Sequence, residues 1–470
     1  MKELIKKFSA FSVGPIVGAV ISFITVPLIT YFISPEEYGK SSMFTLAQGT
    51  VSMIIYLGMD QAFVREFNLV KDRLDKLMTN AIIVPAIFVV VLDAIIVCAA
   101  PYISVLLFDT KDEVFAVYLM AIMFPFMIVE HFSFLKIRME EKGLQYSFFT
   151  ILLKTLIMIL TIVLFLIYEK SFRSVVYAMA LAEIINGLIL LFMTIIPLHL
   201  KLSYVDKPLI HRMLKYGLPL IPASILGWAL TSMDKVMLRT MCSYSELGLY
   251  TAAFKIVSAL GIVQTCFTLF WPPVAYRWYE EKVDNSNFKN INDLVAAIMS
   301  LLCLGLLLFK DAVAFILGDS FTEAIYIFPF ILLNPIMYTM SESVAVGIGF
   351  TRKTHYNIVV SGLSGVTNIL LNYLLIPVLE GKGAAIATGV SYMVFFWART
   401  LISRKLWWKF PIDKYLIYTI IIIINCAVHT FITGYISYIV SAVSTVLVIV
   451  LNISEIKKLQ ESLKKAFKKE

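Results

Sequence analysis

Residues 217–255 read GLPLIPASILGWALTSMDKVMLRTMCSYSELGLYTAAFK. The two apolar runs in this stretch predict two membrane helices joined by a short turn. Four charged residues lie inside these runs or at their edges: Asp234, Lys235, Arg239 and Lys255. A charge at the centre of a bilayer costs about 2.5–3.5 kcal/mol on insertion scales, so such side chains normally face a bundle interior or a watery cavity. Three of the four are cations, which indicates a membrane protein that handles an anion.

The composition of the whole chain is that of an integral membrane protein. Of its 470 residues, 60% are hydrophobic and 15% are charged, with a mean hydropathy of +0.85; a soluble domain has about 25% charged residues. The five cysteines are scattered, so we interpret them as small buried hydrophobic residues rather than disulfide or metal ligands. The first apolar run continues to Ile33 without a convincing cleavage site, so we expect an uncleaved first span rather than a signal peptide.

Apolar runs bounded by charged or turn residues predict an all-α integral membrane protein with about fourteen transmembrane helices. The connections between them are too short to hold a soluble domain. The predicted spans are 8–33, 39–62, 80–100, 114–135, 147–168, 174–197, 216–240, 248–273, 292–309, 323–350, 356–377, 384–402, 415–432 and 435–453.

Lysine and arginine are distributed unequally between the two sides of these spans. One set of alternate connections, together with both termini, carries 29 of these residues, whereas the other set carries five. The richer side is cytoplasmic by the positive-inside rule, so we predict that both termini are cytoplasmic. The tail, residues 454–470, combines an apolar face with six lysines and predicts an amphipathic helix on the anionic cytoplasmic leaflet.

Three short motifs recur in the same order at nearly the same offset. SPEEYG at 34–39 resembles SYSELG at 243–248, ISVLLFD at 103–109 resembles VAFILGD at 313–319, and FPF recurs at 124–126 and 328–330. Because six spans separate the copies, the repeat is parallel and related by an axis along the membrane normal. We therefore predict two six-helix bundles around a central cavity, at 1–200 and 201–402, with two appended spans at 403–453.

The span-embedded cations have two interpretations. Lys235 and Arg239 lie on one helix face, whereas Asp234 points about 100° away from Lys235. Lys154 and Lys40 are two further cations within spans. These side chains either line a wet interior or snorkel to the headgroups, and snorkelling is favoured for Lys40 and for Arg399.

The span-embedded acids also have two interpretations. They either pair statically with the cations, which is the default, or carry a coupling proton. Glu183 is the deepest, and the others are Asp93, Glu130 and Glu342.

Motifs of soluble catalysis are missing from the sequence. It has no glycine-rich phosphate loop, no HExxH and no GxSxG, and its five histidines are not spaced with carboxylates as metal ligands. We therefore expect neither an enzyme nor an ATP-driven pump, and no cofactor, metal or nucleic-acid partner.

Residues 14–44 and 216–256 resemble the Wzx-type polysaccharide repeat-unit flippases of the multidrug/oligosaccharidyl-lipid/polysaccharide exporter superfamily. The similarity covers essentially the whole chain, and its typical motifs are the LP…P of Leu218–Pro222, the Met233-Asp234-Lys235 triplet and the Glu246-x-Gly248-x-Tyr250 opening of the eighth span. The resemblance implies a fold similar to the multidrug antiporters, with two bundles around a V-shaped cavity that works by alternating access. It implies a bacterial inner-membrane location and a role in surface polysaccharides such as O-antigen, lipopolysaccharide or capsule.

The substrate implied by this resemblance is an oligosaccharide linked to undecaprenyl pyrophosphate, moved from the cytoplasmic to the outer leaflet. Mapped onto the cationic cavity of the family, Lys235, Arg239 and Lys255 are the predicted substrate-binding residues, with Lys154 and Lys40 after them. Asp234 and Glu183 are predicted to couple transport to a proton or sodium ion, or to form pairs. A polysaccharide polymerase is an implied partner.

Three alternative functions stay open at this point. A multidrug antiporter of the same fold favours acidic rather than basic intramembrane residues. A membrane polymerase usually needs a sizeable outer loop, which this sequence lacks. A lipid II flippase differs only in the headgroup of its substrate.

Overall fold

The computed structural model of the chain describes residues 2–67, 69 and 73–452, and these residues form helices and connecting turns without a strand. The predicted all-α class is therefore confirmed. The predicted amphipathic tail, 454–470, lies outside the described residues.

The described chain divides into two compact units, the first ending at Met233 and the second starting at Asp234. The first unit contains α1 (Lys2–Thr30), α2 (Pro35–Ile55), α3 (Met59–Glu66), α4 (Leu74–Cys98), α5 (Ala100–Phe108), α6 (Val114–Met139), α7 (Gly143–Ile167), α8 (Phe172–Leu190) and α9 (Lys207–Gly217). The boundary falls inside α10 (Ile221–Met241), and the second unit continues with α11 (Tyr244–Ser258), α12 (Gly261–Glu280), α13 (Asn285–Leu308), α14 (Asp311–Leu317), α15 (Ala324–Ile331), α16 (Leu333–Val344), α17 (Val346–Phe350), α18 (Tyr356–Leu406), α19 (Asp413–Phe431) and α20 (Tyr435–Leu451).

In the first unit, α1 packs on α7, and α6 packs on both α4 and α8. In the second unit, α18 packs on α11, α15 and α16.

The connection around α9 is fastened to the first unit, which explains why the unit boundary lies beyond residue 200. The Arg212 guanidinium donates to the buried Glu66 carboxylate at 2.6 and 3.2 Å. Lys76 Nζ lies 2.6 Å from Asp206 Oδ2. We keep the division of the helices at residues 200 and 402 as a proposal, because it refers to the repeat rather than to packing.

Nine helices in the described part of the chain are long and apolar enough to cross a membrane, and eleven are if each of two bent pairs counts as one span. The predicted count of fourteen stays a prediction. The difference between eleven and fourteen spans comes from three helices. Two predicted spans form the single helix α18, which is broken at Glu380 (φ 51°, ψ −127°). Helix α20 has only 17 residues, and charged residues interrupt the apolar run of α10. The chain is thus a multi-pass membrane protein.

Two helices begin with the same local structure. Ser34 caps α2 by accepting a hydrogen bond from the Glu37 amide, and Ser243 caps α11 by accepting one from the Glu246 amide, both at 3.3 Å. The side-chain carboxylate of each glutamate in turn accepts a hydrogen bond from a backbone amide 135 residues further along the chain. Glu37 accepts from Phe172 at 2.6 Å, and Glu246 accepts from Gly381 at 3.0 Å. These matching contacts support the proposed repeat.

The second predicted span is broken near its C-terminal end. Helices α2 and α3 meet at 51°, and Leu57 and Gly58 between them both have left-handed backbones (φ 50° and 69°). Glycine adopts this conformation without a steric cost, and a Cβ at Gly58 would overlap the backbone of Gly217. Broken membrane helices are tolerated where protein or cavity water satisfies the freed backbone groups.

Candidate functional site

The second unit contains a polar cluster built on Asp234, which is buried in the last two turns of α10. The Tyr250 hydroxyl, from α11, donates a hydrogen bond to its carboxylate. That hydroxyl is also 3.3 Å from the Thr388 hydroxyl of α18. The Lys235 amide donates to the same carboxylate at 3.0 Å. Asp234 of α10 therefore contacts α11 directly and, through the Tyr250 hydroxyl, is linked to α18.

Two predicted cations lie beside this cluster against aromatic rings. Lys235 Nζ is 5.2 Å from the centroid of the Phe254 ring, and the Arg239 guanidinium is 4.3 Å from that of the Tyr244 ring. Both side chains are half-buried. A ring in this position stabilises a cation by about 0.5–1 kcal/mol without neutralising it. The contacts hold both cations at the junction of α10 and α11.

Lys255, the third predicted cation, follows Phe254 directly in α11. Its side chain is exposed, and its carbonyl accepts a hydrogen bond from the Ser258 hydroxyl at 2.6 Å. The ring that Lys235 contacts thus belongs to the residue directly before Lys255. The second unit thus gathers Lys235, Arg239 and Lys255 on two contacting helices.

The first unit contains a different polar cluster, formed by two glutamates. The carboxyl groups of Glu130 (α6) and Glu183 (α8) are neighbours. The Gln48 amide donates to Glu183 at 3.0 Å, and the Asn186 amide donates to Glu130 at 2.9 Å. Lys154 of α7 interacts electrostatically with both glutamates. Four helices thus converge on one carboxyl pair.

This pair has a simple chemical consequence. Two ionised carboxylates that are neighbours repel each other, so the pair is more stable when one of them carries a proton. With one shared proton, the pair has a charge of −1, which Lys154 balances. Losing that proton leaves two neighbouring like charges, which is unfavourable. The arrangement is therefore suited to binding and releasing one proton.

Lys40 is separate from Lys154 although both belong to the first unit. Its ammonium lies 3.0 Å from Glu36 and 3.9 Å from Glu37 at the start of α2, and 5.7 Å from the Phe172 ring centroid. Two carboxylates therefore already compensate the charge of Lys40. This placement favours its interpretation as a span-end residue over a role in anion binding.

Arg399 departs from the expectation that it snorkels. It forms an ion pair with Glu342 across α16 and α18, and the two side chains are only 14% and 13% exposed. A nearby carboxylate is a closer partner than the headgroups, and the attraction between the two charges offsets part of the cost of burying them. Among the intramembrane acids, Glu342 is thus a statically paired one.

Sequence reasoning missed several partners in these clusters. Tyr250 is the tyrosine of the Glu246-x-Gly248-x-Tyr250 motif, and its bond to Asp234 physically joins the two motifs of 233–235 and 246–250. The presence of both motifs within one stretch of sequence is the signal that could have predicted this contact. Gln48 and Asn186 carried no comparable signal. No three His, Cys, Asp or Glu side chains gather as metal ligands in the described residues.

Comparisons with known proteins agree on family and fold. The sequence profile of a family described as polysaccharide biosynthesis protein matches residues 4–274. No protein of curated function matches the chain in sequence. Since the matched range includes α2, α10 and α11, it covers both capped helix starts and the Asp234–Tyr250 contact, but not Thr388.

Two solved structures have a similar fold at low sequence identity. The lipid II flippase MurJ, in an inward closed conformation, is 15% identical and superposes with a TM-score of 0.70 over 95% of this chain and 99% of its own. An inward-facing multidrug resistance transporter of the MATE family is 15% identical, with a TM-score of 0.58 over 83% of this chain and 93% of its own. The predicted MATE-like fold is thereby confirmed.

Proposed function

The chain belongs to the polysaccharide biosynthesis protein family, and from this premise we propose that it is a flippase for a lipid-linked oligosaccharide. Its substrate would be an oligosaccharide repeat unit on undecaprenyl pyrophosphate, moved from the cytoplasmic to the outer leaflet of a bacterial inner membrane. The observation that carries the proposal is the family match, and the fold shared with a lipid II flippase supports it.

The cations of the second unit suit this substrate. A pyrophosphate needs positive partners to leave water, since charge-assisted hydrogen bonds replace its hydration. Lys235, Arg239 and Lys255 supply such charges on α10 and α11. We propose them as the pyrophosphate-binding residues and assign Lys40 and Lys154 other roles, since the first is paired with Glu36 and the second accompanies two glutamates.

The carboxyl pair of the first unit is our proposed coupling site. Glu130 and Glu183 bind one shared proton when loaded, and its release would drive the return of the empty transporter. Gln48, Asn186 and Lys154 then stabilise the charge that the proton leaves behind.

A specific observation favours a second candidate, a lipid II flippase. The fold matches MurJ over nearly the whole length of both chains. The two substrates share a lipid pyrophosphate and differ in the glycan, so the same cations would serve either. We also propose that both termini are cytoplasmic and that a polysaccharide polymerase is the downstream partner.

The proposal is tested by replacing the native gene with Lys235→Ala and Lys255→Ala variants. Each should abolish surface glycan, measured by staining of extracted polysaccharide, while membrane insertion stays normal. Lys409→Ala, an exposed lysine between α18 and α19, is the matched control and should leave the glycan unchanged. Loss of peptidoglycan synthesis instead of surface glycan would favour the second candidate. Normal glycan in both variants would contradict the binding role of these lysines.

A further inference from the structure

Asp93 is an intramembrane acid for which the proposed function has no use. It lies in α4, five residues before the helix ends at Cys98. Its Oδ1 atom is buried and accepts no hydrogen bond from the described residues. Glu130, Glu183 and Glu342 all have polar partners there. A carboxylate in hydrocarbon is stabilised by a donor or a cation, so half-buried Asp93 offers an acceptor to a ligand from outside the described chain.

Asp93 opens into a groove between α4 and α6. The groove has a volume of about 580 Å³ and is lined mainly by apolar side chains. Val97 on one wall is 46% exposed, and Ile122 on the other is 52% exposed. Exposed apolar side chains in membrane spans contact hydrocarbon, so this groove is accessible from within the bilayer.

A break in the helical hydrogen bonding of α6 lies beside the same groove. Pro125, inside α6, has no N–H, so the carbonyl of Ala121 one turn earlier lacks its usual helical donor. Both Ala121 and Pro125 line the groove with Asp93, and Ala121 is 4% exposed. The Asp93 carboxylate is therefore the acceptor that the groove presents to a ligand, and a cation suits it.

The opposite flank of α4 carries another groove of about 620 Å³. Val90, Ala94, Cys98 and Tyr102 are among its lining residues. The exposed face of α4 is thus a ridge between two grooves, with small side chains at Ala94 and Cys98. Small residues let a second helix approach closely in a membrane, where packing and interhelical hydrogen bonds drive association.

We propose that this face of α4 and α6 docks a transmembrane helix of a partner protein that carries a lysine or arginine within its span. A lipid chain would fill the grooves but leave the Asp93 carboxylate without a donor. An amine-bearing headgroup would have to sink about 8 Å below the end of α4, at 1.5 Å per residue, to reach it. A helix with a basic side chain satisfies both the apolar walls and the carboxylate.

The experiment uses the full chain in vesicles of phosphatidylcholine and phosphatidylglycerol, with poly-leucine transmembrane peptides as probes. One peptide has a single lysine in its span, one has leucine there, and one has glutamate. Energy transfer from labelled peptides to a dye on Lys111→Cys, in the exposed turn before α6, reports binding, with the two exposed native cysteines, Cys98 and Cys266, replaced by serine. The variants are Asp93→Asn, Asp93→Lys and Ala121→Leu, and Asp112→Asn, in the exposed turn before α6, is the matched control.

We expect the lysine peptide to bind about tenfold more tightly than the leucine peptide. Asp93→Asn should remove this preference, Asp93→Lys should transfer it to the glutamate peptide, and Asp112→Asn should preserve it. Ala121→Leu fills the groove without changing any charge and should weaken binding of every peptide, which keeps the test valid if a charge variant does not fold.

Three results would overturn the proposal. These are equal binding of the lysine and leucine peptides, a lysine preference that survives Asp93→Asn, and unchanged binding to Ala121→Leu. Repeating the measurement with phosphatidylethanolamine added tests whether a lipid amine, rather than a helix, supplies the cation. If this lipid abolishes the lysine preference, then the occupant is a lipid amine rather than a helix.

Discussion

The two units of this molecule place their intramembrane charge in different ways. In the second unit, Asp234 is held by Tyr250 and lies beside Lys235. The positions 209 residues earlier are Thr25 and Ser41, whose hydroxyls bond only to carbonyls of their own helices, Ile21 and Tyr38, at 2.7 and 2.8 Å. One unit therefore fixes a charged cluster where the other has neutral helix-bound hydroxyls.

The reverse holds for the carboxyl pair. Glu183 of the first unit corresponds to Tyr392 at the same offset, and Gln48 corresponds to Val257. The helix starts match closely in structure while the interior chemistry does not. The two units therefore share the capping of their helix starts but differ in their interior residues, so each unit can have a separate function. We propose anion binding for the second unit and proton binding for the first.

The largest effect should follow from Glu183→Gln, which removes one member of the carboxyl pair while keeping its size. The pair can then no longer share and release a proton, so proton-driven transport should be lost. The remaining transport should not respond to a pH gradient across proteoliposomes. Asp234→Asn is the control in the other unit and should keep that response. A normal pH response in Glu183→Gln would contradict the proposal that the first unit binds the coupling proton.

The next effect concerns stability. Arg399→Ala leaves the Glu342 carboxylate buried without its cation, so the free energy of unfolding should fall by about 3–5 kcal/mol. Replacing both residues by glutamine should cost less, because no charge is then left unpaired. Unfolding in mixed micelles, followed by circular dichroism, measures both. Equal losses for the single and double variants would argue against a buried ion pair.

These predictions show what the sequence reveals and what it does not. Hydropathy locates most helices to within a few residues, because burying about 20 apolar residues in lipid leaves few alternatives. The pairing of Arg399 with Glu342 was missed, since it depends on which faces of α16 and α18 meet. The Gln48–Glu183 bond joins residues 135 positions apart, and a span pattern carries no information on such a contact.

A smaller effect should distinguish Tyr250 from its counterpart. Tyr250→Phe removes the hydroxyl that donates to buried Asp234, and an unsatisfied buried acceptor costs about 1–3 kcal/mol. Ser41→Ala, the matched position of the first unit, should change stability little, because its hydroxyl bonds only within its own helix. Both are measured by the same unfolding titration. Similar losses at the two positions would weaken the contrast between the units.

The smallest effect lies outside the spans, where Lys76 contacts Asp206. The Lys76 ammonium at 2.6 Å holds the pKa of the Asp206 carboxyl below its usual value, so the contact stabilises the fold at neutral pH. This contribution is lost as the pH falls through the lowered pKa, because protonation removes the negative charge. Asp206→Asn should therefore lower the thermal midpoint slightly at pH 7 and not at acidic pH. An equal shift at both pH values would assign it to something other than charge.

The most direct test of the account is translocation in proteoliposomes of a fluorescent oligosaccharide on undecaprenyl pyrophosphate. Its accessibility to a membrane-impermeant quencher reports which leaflet it occupies. The account predicts rapid translocation by the native chain and loss of it in Lys235→Ala and Lys255→Ala, with Lys409→Ala unaffected. If the native chain does not move this lipid faster than empty vesicles do, the proposed function is contradicted.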